Sequence, residues 1–171
     1  FALNALLPPD IRILEVTQVE ANFHAGYSAR SKIYHYHLHL DPVMDPFVRL
    51  YRHHVHGVCD VAKMREGAAY FIGTHDFRSF ANKPDQGSAS RKSVKTLFRL
   101  DVIEQKGGVR LEFEADGFLY KMVRNITGAL LDIGAGKLAP SQIPAIFEAK
   151  DRTKAAGAAS AKGLFLMQVN Y

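Results

Sequence analysis

The chain has 171 residues, 47% hydrophobic and 23% charged, a composition that suits one ordinary globular domain with a core of its own. No apolar run approaches the ~20 residues of a membrane-spanning helix and no signal-peptide pattern opens the chain; the one cysteine, Cys59, excludes an internal disulfide and points to a reducing compartment, cytoplasmic or organellar. The formal net charge of +5 is compatible with a polyanionic partner and does not establish one.

The chain opens on Phe1 and closes on Tyr171, at the end of an apolar strand-like run, so both termini read as cut from something longer. Past the break at Pro8 and Pro9, a strand is expected near Ile11 to Val19. A second, Lys32 to Leu40, alternates Tyr34, Tyr36, Leu38 and Leu40 on one face with His35, His37 and His39 on the other. Val43 to Gly57, preceded by Pro42 and containing Pro46, reads as irregular. Asp60 can cap a helix whose core face is Val61, Met64, Ala68 and Phe71, closed by Gly73.

A polar loop, Lys83 to Lys92, leads to a hairpin with strands Thr96 to Gln105 and Val109 to Asp116. Gly107 and Gly108 lie near its turn, as tight primed turns prefer. Val109, Leu111, Phe113 and Ala115 face one way; Arg110, Glu112, Glu114 and Asp116 face the other. In the long helix that follows, Leu119, Val123, Ile126, Leu130 and Ile133 recur at spacings of three and four, which makes one apolar stripe. It ends near Gly134-Ala135-Gly136. A short helix from Pro140-Ser141 carries Ile143, Ile146 and Phe147, and a loop, Asp151 to Lys162, precedes a final strand, Gly163 to Tyr171. That strand is apolar on both faces and is expected to be central.

Without the leading strand and the short helix, the order is strand, helix, strand, strand, helix, strand. The expected fold class is therefore α+β: a ferredoxin-like split βαββαβ in one domain, 1–171, with an extra N-terminal strand and a short C-terminal helix. Its sheet would be mainly antiparallel, with the helices on one face. This fold hosts many functions and decides none.

Chemistry concentrates at the start of the long helix. Arg124 and Asn125 leave a strand-to-helix junction beside a buried stripe, where a cation is costly unless it meets an anion, so a carboxylate or phosphate fits there. An arginine whose stem packs while its head reaches water fits the same spacing. Gly134-Ala135-Gly136-Lys137-Leu138 resembles part of a phosphate loop but ends a helix and lacks Ser or Thr after the lysine. The two histidine groups, His35, His37, His39 and His53, His54, His56, invite a metal reading. Strand neighbours two apart are about 6.6 Å from each other, so a pair could share an ion, but no Cys or acidic partner stands at a telling spacing. A solvated or RNA-facing surface fits them better. Cys59 has no marked catalytic partner and reads as a small buried hydrophobe. Arg30, Lys32, Tyr34 and Tyr36 interleave basic and aromatic side chains; such rings stack on unpaired bases, and equally serve a core.

Five segments, in order, resemble the C-terminal half of the tRNA pseudouridine synthase A family. They are Phe23-His24-Ala25-Gly26-Tyr27-Ser28-Ala29 leading into Lys32-Ile33-Tyr34-His35-Tyr36, Phe71 to Phe80, Gly117 to Gly128, Ala149 to Ala155, and Lys162 to Leu166. The resemblance implies isomerisation of uridine to pseudouridine in the tRNA anticodon arm, without organic cofactor or catalytic metal, by an enzyme that usually pairs as a homodimer. An essential aspartate would add to C1′ of the ribose or take a proton from C2′. Tyr34 matches the family's stacking tyrosine, Arg124 the arginine that pairs with that aspartate, and Leu164 the apolar residue beside the target base.

Arg30, Lys32, Arg78, Lys121, Arg152 and Lys154 flank the matched motifs and are the candidate RNA contacts. Two departures stand out: Gly26 and Lys95 occupy positions where an arginine is usual. The family's Gly-Arg-Thr-Asp segment does not occur in these 171 residues, and Asp76, Asp116, Asp132 and Asp151 have the right chemistry in the wrong context. The chain on its own is thus expected to lack synthase activity, and a noncatalytic RNA-binding module on the same fold is the alternative. Either way, the resemblance requires the Arg124 head and the Tyr34 ring to lie on the same side of the sheet.

Overall fold

The computed structural model describes residues 2–82 and 92–171; most of the loop expected at Lys83 to Lys92 lies outside them. The elements are α1 (Ala2–Leu6), β1 (Ser31–His39), β2 (His53–His54), α2 (Val61–Ala69), β3 (Gly73–Asp76), β4 (Val94–Gln105), β5 (Gly108–Ala115), α3 (Met122–Gly134), α4 (Ile143–Ala149) and β6 (Leu164–Asn170).

Four strands carry the fold. β1 pairs antiparallel with β5 along one edge and with β6 along the other, and β5 pairs antiparallel with β4. The spatial order β6-β1-β5-β4 is that of a split βαββαβ unit, so the sheet is open and mainly antiparallel. Two short strands extend it. β3 adds to the outer edge of β4, and β2 runs parallel to the last two residues of β1, beyond the stretch that β6 occupies.

Alternation along β5 sets the two faces. Val109, Leu111, Phe113 and Ala115 are at most 1% exposed, and their partners across β1 are Leu38, Tyr36, Tyr34 and Lys32. Directly opposed residues point the same way, so this is the face that the helices cover. α2 starts where Asp60 Oδ1 accepts from Lys63 N (3.1 Å) and buries Met64 and Ala68. α3 buries Val123, Ile126, Leu130 and Ile133 of the expected stripe, whereas Leu119 lies before the helix start and is only partly buried. α4 buries Ile143, Ile146 and Phe147, and the Phe147 ring stacks on His75 (4.6 Å between centroids). The other sheet face carries His35, His37, Arg110 and Glu112.

Three expectations need correction. No strand forms over residues 11–19. Ile13 pairs its backbone with the Asn4 side chain in α1, by bonds of 2.7 Å each way, and Leu14 is 98% exposed, so this segment never reaches the sheet. The last strand lies on the edge of the described sheet, because the fourth strand of a split unit is an outer one; Leu166 and Met167 are more than half exposed. The β4–β5 turn is not a primed turn. Only Gly107 has positive φ (75°), since Lys106 at the first position would bear the left-handed penalty of an ordinary side chain. β3 and the 3-10 turn Phe77–Phe80 have no counterpart in the sequence reading.

Candidate active site

Tyr34 stands on the helix-covered face, at the end of the sheet where β5 leads into α3. Its ring meets Phe118 edge-on at 4.9 Å, and its direct partner on β6 is Leu166, which is 52% exposed. Burial raises the Tyr34 hydroxyl above the ordinary phenol range. One pair further along, Leu164 faces Tyr36. Tyr34, Leu164 and Leu166 therefore border one apolar strip between β1 and β6. Leu166 was not singled out by sequence; its exposure on an apolar strand is visible only once β6 is known to be an edge.

Arg124 comes to the same face from above. α3 begins after Lys121, which adopts a left-handed backbone (φ 61°, ψ 11°), an uncommon state for a residue with a Cβ that reorients the chain at the junction. Three residues on, the Arg124 side chain is half-buried and its Nε donates to Ala159 O (2.7 Å). Among the described residues it has no carboxylate within ion-pair reach. Its charge is felt by the Tyr36 hydroxyl, whose pKa burial drives well up while Arg124 pulls it down. Tyr34 and Arg124 thus share one side of the sheet, as the resemblance requires.

Asn125, fully buried, locks this junction. Its amide nitrogen donates to Phe80 O (2.8 Å) and Asn82 Oδ1 (3.0 Å), while its oxygen accepts from Arg152 Nη2 (2.9 Å). Arg152 also donates to Ala155 O (3.1 Å), and burial lowers its pKa. Of the candidate RNA contacts, Arg152 is the one whose guanidinium is engaged internally. Ser79, fully buried, donates to Ile146 O (2.6 Å) and accepts from Asp151 N (2.9 Å). The segments Phe71 to Phe80 and Ala149 to Ala155 are thereby tied to each other and to the start of α3, a role that spacing along the chain does not reveal.

The other candidates are spread more widely. Lys32 shares the Tyr34 face at the start of β1, and Lys95 lies along Gly117 on the same end of the sheet. Lys121 Nζ sits 5.2 Å from the Tyr120 ring. Arg78 is mostly exposed and paired with Asp76 (3.0 Å), which also caps the turn that holds Arg78. Arg30 and Lys154 are exposed, Arg30 beside Phe23 and Tyr171 at the far end of β6. Asp76 and Asp151 both serve as turn caps, accepting backbone N–H bonds from Arg78 and Thr153.

The open face has a different electrostatic character. Glu112, 8% exposed, accepts from Arg99 Nη1 (2.6 Å) and Arg110 Nη2 (2.5 Å), with His35 Nε2 at 3.5 Å. Burial works to raise its carboxyl, but the two arginines and His35 hold it below the usual range. Among the described residues, no group of three or more His, Cys, Asp or Glu side chains is arranged to hold a metal, and no helix is long and apolar enough to cross a membrane.

Comparison with known proteins gives a consistent result. The family model described as tRNA pseudouridine synthase matches residues 68–171. Over 99% of its length the chain is 54% identical to tRNA pseudouridine synthase A 1 of Protochlamydia amoebophila, covering 66% of that protein. It is 47% identical to tRNA pseudouridine synthase A of Chlamydia muridarum, of which it covers 62%. Against tRNA pseudouridine synthase A of Bacillus subtilis the identity is 40%, with 68% of that protein covered. The chain spans about two thirds of the length of these relatives.

Proposed function

The chain belongs to the tRNA pseudouridine synthase family, and on that premise we propose that the protein carrying it isomerises uridine to pseudouridine in the anticodon arm of tRNA. The reaction breaks the bond from C1′ to N1 of uracil, turns the base and rejoins it through C5. In this reading the target nucleotide leaves its stack, as a base buried in a helix cannot be reached. Tyr34 supplies the ring against which the freed uracil rests, and Leu164 and Leu166 close the apolar edge of that slot. Arg124 pairs with the catalytic carboxylate, keeping it ionised and oriented through a charge-assisted bond. Lys32, Lys121, Arg30, Arg78 and Lys154 meet the phosphates around it, whereas Arg152, expected from the sequence among these contacts, is taken up by Asn125 and Ala155.

One observation carries the reading: a guanidinium held by a single backbone carbonyl, on the same sheet face as a half-buried tyrosine ring. A Gly-Arg-Thr-Asp segment is not among these 171 residues. The chain is read as one domain, the C-terminal half of a catalytic fold, and as inactive alone. Homodimer formation and a reducing compartment belong to the same proposal. The test is to incubate unmodified tRNA with the protein that carries the chain and with the 171-residue chain, then measure pseudouridine by mass spectrometry. Product is expected in the first case and none in the second. Tight tRNA binding without product in either would establish the noncatalytic alternative, and product from the 171-residue chain would refute the assignment of the carboxylate elsewhere.

A further inference from the structure

The direction of the Arg124 head is set by a strap, residues 157–160, that crosses over α3 on its way to β6. Arg124 and Ala159 exchange two hydrogen bonds: the side-chain Nε donates to Ala159 O (2.7 Å), and Ala159 N donates to Arg124 O (3.0 Å). One turn later in the helix, the strap touches backbone. A Cβ built on Gly128 would fall 1.9 Å from Gly157 O, so only glycine lets the strap lie there. The third fastening comes from the sheet. Tyr36 is fully buried, and its hydroxyl donates to Ser160 O at 2.5 Å. Two successive carbonyls of the strap are therefore held by two different elements, one by Arg124 and the next by Tyr36.

We propose that Tyr36 is a positioning residue: through the Ser160 carbonyl it fixes the strap, and through the Ala159 carbonyl the strap fixes the direction of the Arg124 guanidinium. With Nε occupied, the lateral edge of the guanidinium is closed to a carboxylate, and the terminal pair of Nη atoms is the edge that remains. A carboxylate partner then meets Arg124 end-on, in one orientation. Burial keeps the Tyr36 proton in place against the nearby positive charge, so the hydroxyl remains a donor. This inference rests on the proposed reaction only for its catalytic consequence; the mechanical link stands on the hydrogen bonds.

The experiment has two arms. In the 171-residue chain, hydrogen exchange of the Arg124 Nε–H is followed by NMR in wild type, Tyr36→Phe and Gly128→Ala. Both variants are expected to speed exchange about tenfold or more while amides of β5 keep their protection. The glycine variant lifts the strap with Tyr36 intact, so it decides the matter should Tyr36→Phe not fold. Exchange unchanged in the folded variants would overturn the proposal. In the protein that carries the chain, Tyr36→Phe is expected to lower kcat about tenfold with KM for tRNA within about twofold. The same change made on Arg124→Lys, which lacks Nε, is expected to cost less than about twofold. A full tenfold loss on that background would equally overturn it. Absence of isomerase activity in wild type would remove the proposed function and leave the exchange arm to decide the positioning role.

Discussion

β1 presents two faces that both carry polar groups, and they treat charge in opposite ways. On the open face, Glu112 meets Arg99, Arg110 and His35, and Arg99 reaches Asp101 (2.8 Å) and Glu114 (3.7 Å) as well. Each charge there is answered by another. On the helix-covered face the surroundings are apolar, and Arg124 has one carbonyl for company. A charge-paired network orients its own members, although Arg110 Nε is buried there without a hydrogen-bond partner; a half-buried cation with spare donors can receive an anion. The two-residue alternation of β1 thus separates a charge-paired face from one on which a guanidinium keeps spare donors.

Breaking the second face should have the largest effect. Arg124→Ala is expected to cut pseudouridine formation by the full protein by about 10²–10³-fold, the scale for removal of one preorganised electrostatic contact. Its cost in stability should be about 1 kcal/mol, because a single hydrogen bond is lost. Comparable losses of activity and melting temperature in proportion would mean that Arg124 is structural.

Asn125→Ala tests the lock behind that face. It leaves the Phe80 carbonyl and Arg152 without their buried partner and should cost about 2–3 kcal/mol in urea unfolding, with the slope unchanged. Glu112→Gln sharpens the comparison from the other side. It should destabilise by about 1–3 kcal/mol, since two arginines lose their anion, and leave turnover within about twofold. A large loss of turnover with Glu112→Gln would merge the two faces into one functional unit.

The smallest effect is with pH. His35, His37 and His53 are each held below the ordinary imidazole range, mainly by burial. Between their folded values and about 6.5 the unfolded chain binds more protons, so their contribution is present above about pH 6.5 and is lost as pH falls through that window. Glu112, also lowered, acts in the same direction at more acid pH. Urea midpoints at pH 7.5 should therefore exceed those at pH 5.5, and equal midpoints would contradict the burial account.

Much of the fold was legible because its signals are periodic. The Val109 to Ala115 alternation and the Val123 to Ile133 stripe each named the side that is buried, and the Asp60 cap marked its helix start. The segment 11–19 misled because an apolar run looks the same whether or not a sheet edge is within reach. The apolar run of β6 misled in the opposite way, since pattern reports hydrophobicity and not whether both edges are paired. At the site, the resemblance brought Tyr34, Arg124 and Leu164 to attention. The strap, Asn125's three bonds and the link from Ser79 to Asp151 all join residues 27 to 124 positions apart, which no local spacing encodes.

The most direct test is an NMR titration of the 171-residue chain with an RNA hairpin carrying the sequence of a tRNA anticodon arm. Perturbations are expected at the Tyr34 ring, the Leu164 and Leu166 methyls and the Arg124 side chain, with His35, Arg99 and Arg110 unmoved. Perturbations centred on the open face, with Tyr34 and Arg124 silent, would contradict the account.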